Sequence, residues 1–387
     1  MLLVLPPLFL DQIFPYVDLR DRFERRVNRD FSSKTGDDRS DILSRWRVGA
    51  EVKLKSGWSG EIRYQFSNDQ LYTPGPDSAT TNSDLDIADV SHAVGNGTAT
   101  VGRQKINIGT QRLIGQADWL NVPRSFDGLR YKDGRWDVFA ADISVISPRP
   151  SLAKIAGATF ASGSGLTQLF FKHDRQASGE IDNGTLDEIY TLTQDKVTYD
   201  FEGALQAGHT AGKRLEAWAA HGRATYALTP RTSLYVEGNA ASGGNGPKVV
   251  STFDNLYPSN YAPYGIMDLQ AWRNMTELVF GVDQRLAKDL LGKVSFHQVG
   301  LLNPSDGWYG ATGAVNARPG GTYIDPTGRS GKDVGQEIDF EAVWSPKKTW
   351  SISAGIGMFL PGEFINHVSA GGVSDQTWAY LQFQTRF

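Results

Sequence analysis

The chain has 387 residues, 40% of them hydrophobic and 21% charged, with 42 Gly and no Cys. The missing cysteine excludes a disulfide scaffold, a thiolate metal site and a thiol nucleophile, and a formal net charge of −4 argues against a general nucleic-acid binder. No apolar run reaches the roughly 18 residues of a membrane-spanning helix, which leaves a large soluble β protein or a membrane barrel, whose strands face lipid only at alternate residues.

The first ten residues, MLLVLPPLFL, are apolar, carry no basic residue and contain a helix-breaking Pro6-Pro7. They read as the remnant of an export signal or a disordered N-terminus in residues 1–10, ahead of one domain over 11–387. A short capping segment is the other reading.

From there the dominant signal is period-2 alternation. Val17, Leu19 and Phe23 alternate with Asp18, Arg20, Arg22 and Glu24. Over 45–55, Arg45, Arg47, Glu51, Lys53 and Lys55 oppose Trp46, Val48, Ala50, Val52 and Leu54. Ile62, Tyr64 and Phe66 oppose Glu61, Arg63 and Gln65. The stretch 150–196 alternates poorly, with strands expected only at 155–162, 167–174 and 187–195. Beyond it, Phe201 and Leu205 oppose Glu202 and Gln206; Leu278 and Phe280 oppose Glu277; Ile338 and Phe340 oppose Glu337, Asp339 and Glu341. The last strand sets Ala379, Leu381, Phe383 and Phe387 against Tyr380, Gln382, Gln384 and Arg386.

Several runs reach ten or more residues, near the roughly 9–11 of a tilted transmembrane strand and longer than the average soluble strand of about 5–6. Trp46, Trp58, Trp136, Trp218, Tyr226, Trp344, Trp350 and Trp378 lie towards strand ends, as interfacial girdles require. Short turns such as Asn96-Gly97 and Asp133-Gly134 alternate with long connections near 29–41, 69–83, 107–125, 244–272, 303–333 and 361–374. The expected fold is therefore all-β: a single transmembrane antiparallel β-barrel of about 18 strands, with short periplasmic turns and long extracellular loops.

Several motifs in order resemble the alginate-export family of outer-membrane porin-like proteins. The first runs through Gly102-Arg103-Gln104, Gly109, Arg112-Leu113, Gly115, Trp119, Asn121, Arg124 and Phe126-Asp127-Gly128 with Arg130. The second is Ser251 to Pro258, continuing to Tyr264-Gly265, Asp268, Trp272 and Asn274. The third is Gly331 to Asp339, and the fourth is Phe359 with Pro361-Gly362-Glu363-Phe364 and the terminal Trp378 to Leu381. The resemblance implies a monomeric barrel of the bacterial outer membrane, surrounded by membrane lipid and lipopolysaccharide. It further implies an anionic or saccharide solute, such as an anionic polysaccharide like alginate, passing through the lumen; a periplasmic partner is a further possibility. The competing reading is a structural or partner-docking barrel closed by its own loops or another protein.

The inward face of the first three strands supplies Arg20, Arg22, Arg45, Arg47, Lys53 and Arg63, which Arg130 could extend, whereas later strands turn acidic side chains inward, among them Glu337 and Asp339. Charge separated in this way sets selectivity, and the planar arginine fork suits a carboxylate. Cross-strand ion pairing that stiffens the wall explains the same residues. Arg103, Arg112, Arg124 and Asp127 form either a constriction on an infolded 107–125 loop or the pins that fix it to the wall.

No enzyme is expected. The six histidines form no HExxH or clustered ligand spacing, and neither a GxSxG elbow nor a P-loop is present. Glu337 and Asp339 have the i, i+2 spacing of any lumen-facing pair, unlike a glycosidase pair. Asp77, Asp84, Asp86 and Asp89 read as a solvated acidic loop in preference to a Ca²⁺ site. No cofactor or metal is expected.

Overall fold

The computed structural model describes residues 10–71, 80–145, 152–176, 179–261, 263–369 and 372–387. Leu10 already belongs to a strand, while the remaining residues of the N-terminal segment lie outside the described residues, as does Asp77.

Eighteen long strands form the wall. They are β1 (Leu10–Val27), β2 (Arg39–Leu54), β3 (Trp58–Leu71), β4 (Thr80–Val94), β5 (Gly97–Gln104), β6 (Arg124–Lys132), β7 (Trp136–Val145), β8 (Leu152–Ser162) and β9 (Gly165–Gln176), followed by β10 (Gly179–Gln194), β11 (Val197–Thr210), β12 (Lys213–Thr229), β13 (Thr232–Ala241), β14 (Met275–Ala287), β15 (Leu290–Gly300), β16 (Asp333–Lys347), β17 (Trp350–Pro361) and β18 (Gln376–Arg386). Each pairs antiparallel with its sequence neighbours. β18 then returns to β1, pairing from Asp18–Arg386 to Val27–Thr377, with Val17 and Phe387 exchanging backbone hydrogen bonds of 3.1 and 3.0 Å. Closure removes every free sheet edge, the only way a sheet can sit in hydrocarbon. No helix among the described residues is long and apolar enough to cross a membrane.

The alternation decides which side faces lipid. In β2, Arg45 and Arg47 are 0% and 3% exposed, whereas Trp46 and Val48 are 52% and 53% exposed. Apolar side chains point out of the cylinder and ionised ones into it, the reverse of a soluble sandwich. Residues 150–196 contain three full strands, β8, β9 and β10. Their weak signal has a cause: Asn183, Thr185 and Asp187 of β10 point inward, but Glu180, Asp182 and Gly184 alternate with them on the outer side, so that end lacks an apolar face.

Tight connections at 55–57, 95–96, 133–135, 163–164, 195–196, 230–231, 288–289 and 348–349 mark one end. In the third of these the Asp133 carboxylate accepts the backbone N–H of Arg135 and Trp136, both at 2.7 Å, closing an Asx-type turn. The other end carries loops 28–38, 105–123, 242–274, 301–332 and 362–375, the last containing helix α1 (Glu363–Val368). Among the described residues it also holds the tight turn Ala211-Gly212, so this end is not uniformly long.

These loops turn inward and fill much of the barrel. One buried cluster joins Ile106, Leu113 and Ile114 to Phe253, Tyr257, Tyr264 and Trp272. A second joins Phe31, Trp308, Tyr323, Phe359 and Phe364 to Trp378 and Tyr380. Trp378 is thus a lumen residue, 1% exposed, and not part of the outer girdle expected for it. It shares parity with Tyr380 and Gln382, both inward, and the small Ala379 takes the lipid side.

Candidate channel constriction

The constriction grows from two loops that meet inside the cylinder. Loop 105–123 reaches in from the β5–β6 connection, and loop 242–274 from the β13–β14 connection. They pair through Tyr257 N–H donating to Leu113 O, Gly115 N–H to Tyr257 O, and Ser259 N–H to Gln111 O, each at 2.9 Å. Arg124 reinforces the junction by donating to the carbonyls of Gly115 at 2.5 Å and Tyr257 at 2.8 Å. At the tips the rings of Trp119 and Tyr261 stack at 3.6 Å and 9°.

Loop 105–123 is held from two opposite walls. On the wall of β1 and β2, Arg20 donates to Asp118 O at 2.7 Å and Leu120 O at 3.0 Å. Arg45 donates to Asp118 O at 2.7 Å and to its carboxylate at 3.1 Å; Arg47 reaches the other carboxylate oxygen at 3.1 Å. Arg22 donates to Trp119 O at 2.8 Å, with its guanidinium 3.8 Å above the Trp119 ring. Three successive loop residues therefore meet four arginines. Burial alone would push the Asp118 carboxyl up; Arg45, Arg47 and Arg20 override it and hold that group well below the usual carboxylate range.

On the far wall the signs reverse. Arg112 of the same loop lies between Glu202 at 3.5 Å, Glu237 at 3.1 Å and the His221 ring at 3.1 Å. Carboxylates of β16 take the backbone of the second loop: Ile266 N–H donates to Asp339 and Met267 N–H to Glu337, both at 3.0 Å. Gly265 makes this approach possible. Its φ is +87°, and a Cβ there would lie 2.3 Å from a Glu337 oxygen. Glu341 accepts from Tyr380 at 2.7 Å and from Tyr261 at 3.0 Å, tying the ring stack to the wall. Beneath Tyr261 and Ile266 a polar cavity of about 120 Å³ is lined by Arg223, Tyr235, Lys293, His297, Asp339 and Glu341. Nearby in the same loop Asp268 is half-buried, with one carboxylate oxygen sealed from solvent and unpartnered. Burial pushes its carboxyl up to about 6, against the opposing pull of Arg26.

The remaining residues singled out in the sequence are dispersed. Arg63 belongs to a buried cluster in which Asp86 accepts from Arg63 at 2.7 Å and Lys105 at 2.5 Å, joined to the clasp through Arg47, whose Nε lies 3.3 Å from Asp86. Asp84, Asp86 and Asp89 therefore lie on strand β4, not in an acidic loop; the bulge opposite Arg63 and Tyr64 and the basic partners of Asp86 account for their place there. Lys53 stands at the tight-turn mouth, 5.5 Å above the Phe14 ring. Arg130 pairs with Asp137 through contacts of 2.7 and 2.5 Å.

Arg103 and Asp127 depart from expectation. They form a two-pronged pair at 2.7 and 2.8 Å, but on the outer wall. Asp127 alternates in step with Leu129, which is 61% exposed, and pairs in register with Asp142. The parity of Val101 and Leu129 carried this information; inclusion in a motif with lumen residues obscured it.

Asp118, Trp119 and Tyr261 were missed as site residues. Trp119 lay within a quoted motif, but nothing in a loop sequence states that its tip folds inward.

The fold and its inward-turned loops define an outer-membrane β-barrel of the porin-like class. Crystal structures from Pseudomonas aeruginosa share it: OccK5 (OpdH) with a TM-score of 0.65 at 9% identity, covering 98% of this chain and 99% of that one; OprD at 0.62 and 13%, covering 98% and 94%; and OpdK with vanillate at 0.64 and 14%, covering 98% and 100%. Such low identities speak for the fold alone. The family model described as "Alginate export" matches residues 16–153 and 158–379, and the chain belongs to that family of outer-membrane porin-like channels. Its match runs through most of the weakly alternating 150–196 stretch. No protein of curated function matches the sequence.

Proposed function

We propose that this chain is a diffusion channel for anionic or saccharide solutes, with the Asp118–Leu120 clasp as its selectivity element. The observation that carries this reading is Asp118 itself. Its carboxylate sits between Arg45 and Arg47 as a solute carboxylate would, and its side chain keeps 41% exposure while Arg45 is sealed at 0%. A passing carboxylate or uronate can exchange with it, each contact being weak enough to release. Family membership supports an anionic polysaccharide such as alginate, and the fold relative solved with vanillate carries a carboxylate ligand.

A closed barrel is the second reading, favoured by the Trp119–Tyr261 stack and the backbone pairing between the two loops. Planar-bilayer recordings separate the two. A channel gives single-channel steps and, under a KCl gradient, a reversal potential of anion-selective sign. A silent bilayer with correctly folded protein leaves the closed barrel, and cation selectivity overturns the role given to the arginines.

A further inference from the structure

The outer wall is not flush. Many lipid-facing positions carry large apolar side chains, but midway along β7 and β8 three of them are Ala140, Ala156 and Ala158, with Val138 beside them. Leu129 rises on one flank, Leu169 and Phe171 on the other. The result is a recess of about 900 Å³, which continues into a second of about 750 Å³ that shares Leu129, Ala140, Ala156 and Phe171 with it. Each volume falls in the range typical of ligand sites.

The two ends differ chemically. At the tight-turn end the rim is aromatic, with Trp58 stacked on His92 at 4.3 Å. At the long-loop end it is charged, with Lys154, His173, Asp142 and Asp182 around the mouth. Lys154 is on the same face of β8 as Ala156 and Ala158, at the long-loop end of the alanine floor. Most neighbouring charges are already satisfied: Asp127 by Arg103 at 2.7 Å, Asp182 by His173 at 2.6 Å, Glu180 by Arg175 at 3.2 Å. The Lys154 side chain is 63% exposed, and its contact with Asp142 is a loose 3.8 Å.

We infer that this recess binds one molecule of the phosphorylated, multiply acylated glycolipid of the extracellular leaflet, an acyl chain lying over Ala140, Ala156 and Ala158 and a phosphate on Lys154. Three features lead there. The recess opens onto the established lipid-facing wall, so its occupant comes from the bilayer. A void against fluid tails forfeits dispersion contacts that a seated chain restores. The apolar floor ends in a cationic group at the long-loop end, the extracellular side, where the leaflet is lipopolysaccharide; a basic residue at headgroup level is how membrane proteins take a lipid phosphate. The side chains used here point away from the lumen, so this inference stands apart from the solute pathway.

The test is native mass spectrometry of barrels extracted from outer membranes in mild detergent, with lipid A and phosphatidylethanolamine then offered in competition. The wild type is expected to retain a single lipid A, and Lys154→Glu and Ala156→Phe to lose most of it. Ala220→Phe, on the outward face of β12, serves as control and should retain it. Single-channel conductance should be the same in all four, which also certifies folding; if Ala156→Phe fails to fold, Lys154→Glu decides alone. Equal lipid A retention in the variants, equal retention of phosphatidylethanolamine, or barrels paired through this face would each overturn the inference.

Discussion

The two walls that hold loop 105–123 solve the same problem with opposite chemistry. On β1 and β2 the wall donates: arginine forks reach the carbonyls of residues 118–120 and the Asp118 carboxylate. On β11 to β16 the wall accepts: carboxylates take Arg112 and the N–H groups of residues 266 and 267. A plug carrying both kinds of group can dock in only one orientation between such walls. Charge separation across the lumen thus positions the loops.

Removing the donor wall should have the largest effect. Arg45→Ala with Arg47→Ala deletes hydrogen bonds to charged groups, each contributing about 1.5–3 kcal/mol. The reversal potential is expected to move towards zero and limited proteolysis to cut near 118–120; an unshifted potential would confine these arginines to architecture. Next comes the latch between the loops. A stacked aromatic pair contributes about 0.5–1.5 kcal/mol beyond its buried area, so Trp119→Ala with Tyr261→Ala should raise the open fraction at least severalfold in single-channel records.

A smaller, pH-dependent effect belongs to Asp268. Its carboxyl is raised in the docked loop to about 6, so the docked state binds the proton more tightly than the free chain does. Burial of the ionised form weakens docking above that pH; the penalty fades as pH falls through about 6 and is gone below the ordinary value of 3.8. Current should therefore be lower at pH 5 than at pH 7.5, and Asp268→Asn should flatten the difference. The smallest effect is expected for Arg103→Ala: a loss of about 0.2–1 kcal/mol from one cross-strand pair, with reversal potential unchanged because the pair faces outward.

Much of this architecture was legible because period-2 alternation is a direct imprint of a wall with lipid on one side. Arg45, Trp46, Arg47 and Val48 assign their own faces. The same rule, followed to the chain end, places Trp378 with Tyr380 inside, and applied to Val101 and Leu129 it places Arg103 and Asp127 outside. The loops were harder. Length told that 105–123 and 242–274 were substantial, but the direction a loop takes depends on partners more than a hundred residues away, as between Leu113 and Tyr257. For that reason Arg20, Arg22, Arg45 and Arg47 of β1 and β2 read as free guides for a solute, while half of their hydrogen bonds go to loop carbonyls.

The seam between β1 and β18 gives the clasp a place in biogenesis. Its partners, such as Val27 and Thr377, are separated by nearly the whole chain, and contacts so distant in sequence form late. Arg20 and Arg22 lie on that first strand. Until the final strand arrives, β1 is held by β2 alone, and half of the grip on Asp118, Trp119 and Leu120 hangs on this margin strand. Sealing the cylinder and seating its inner plug are consequently one event, and a barrel halted one strand short would be left both open-sided and unplugged.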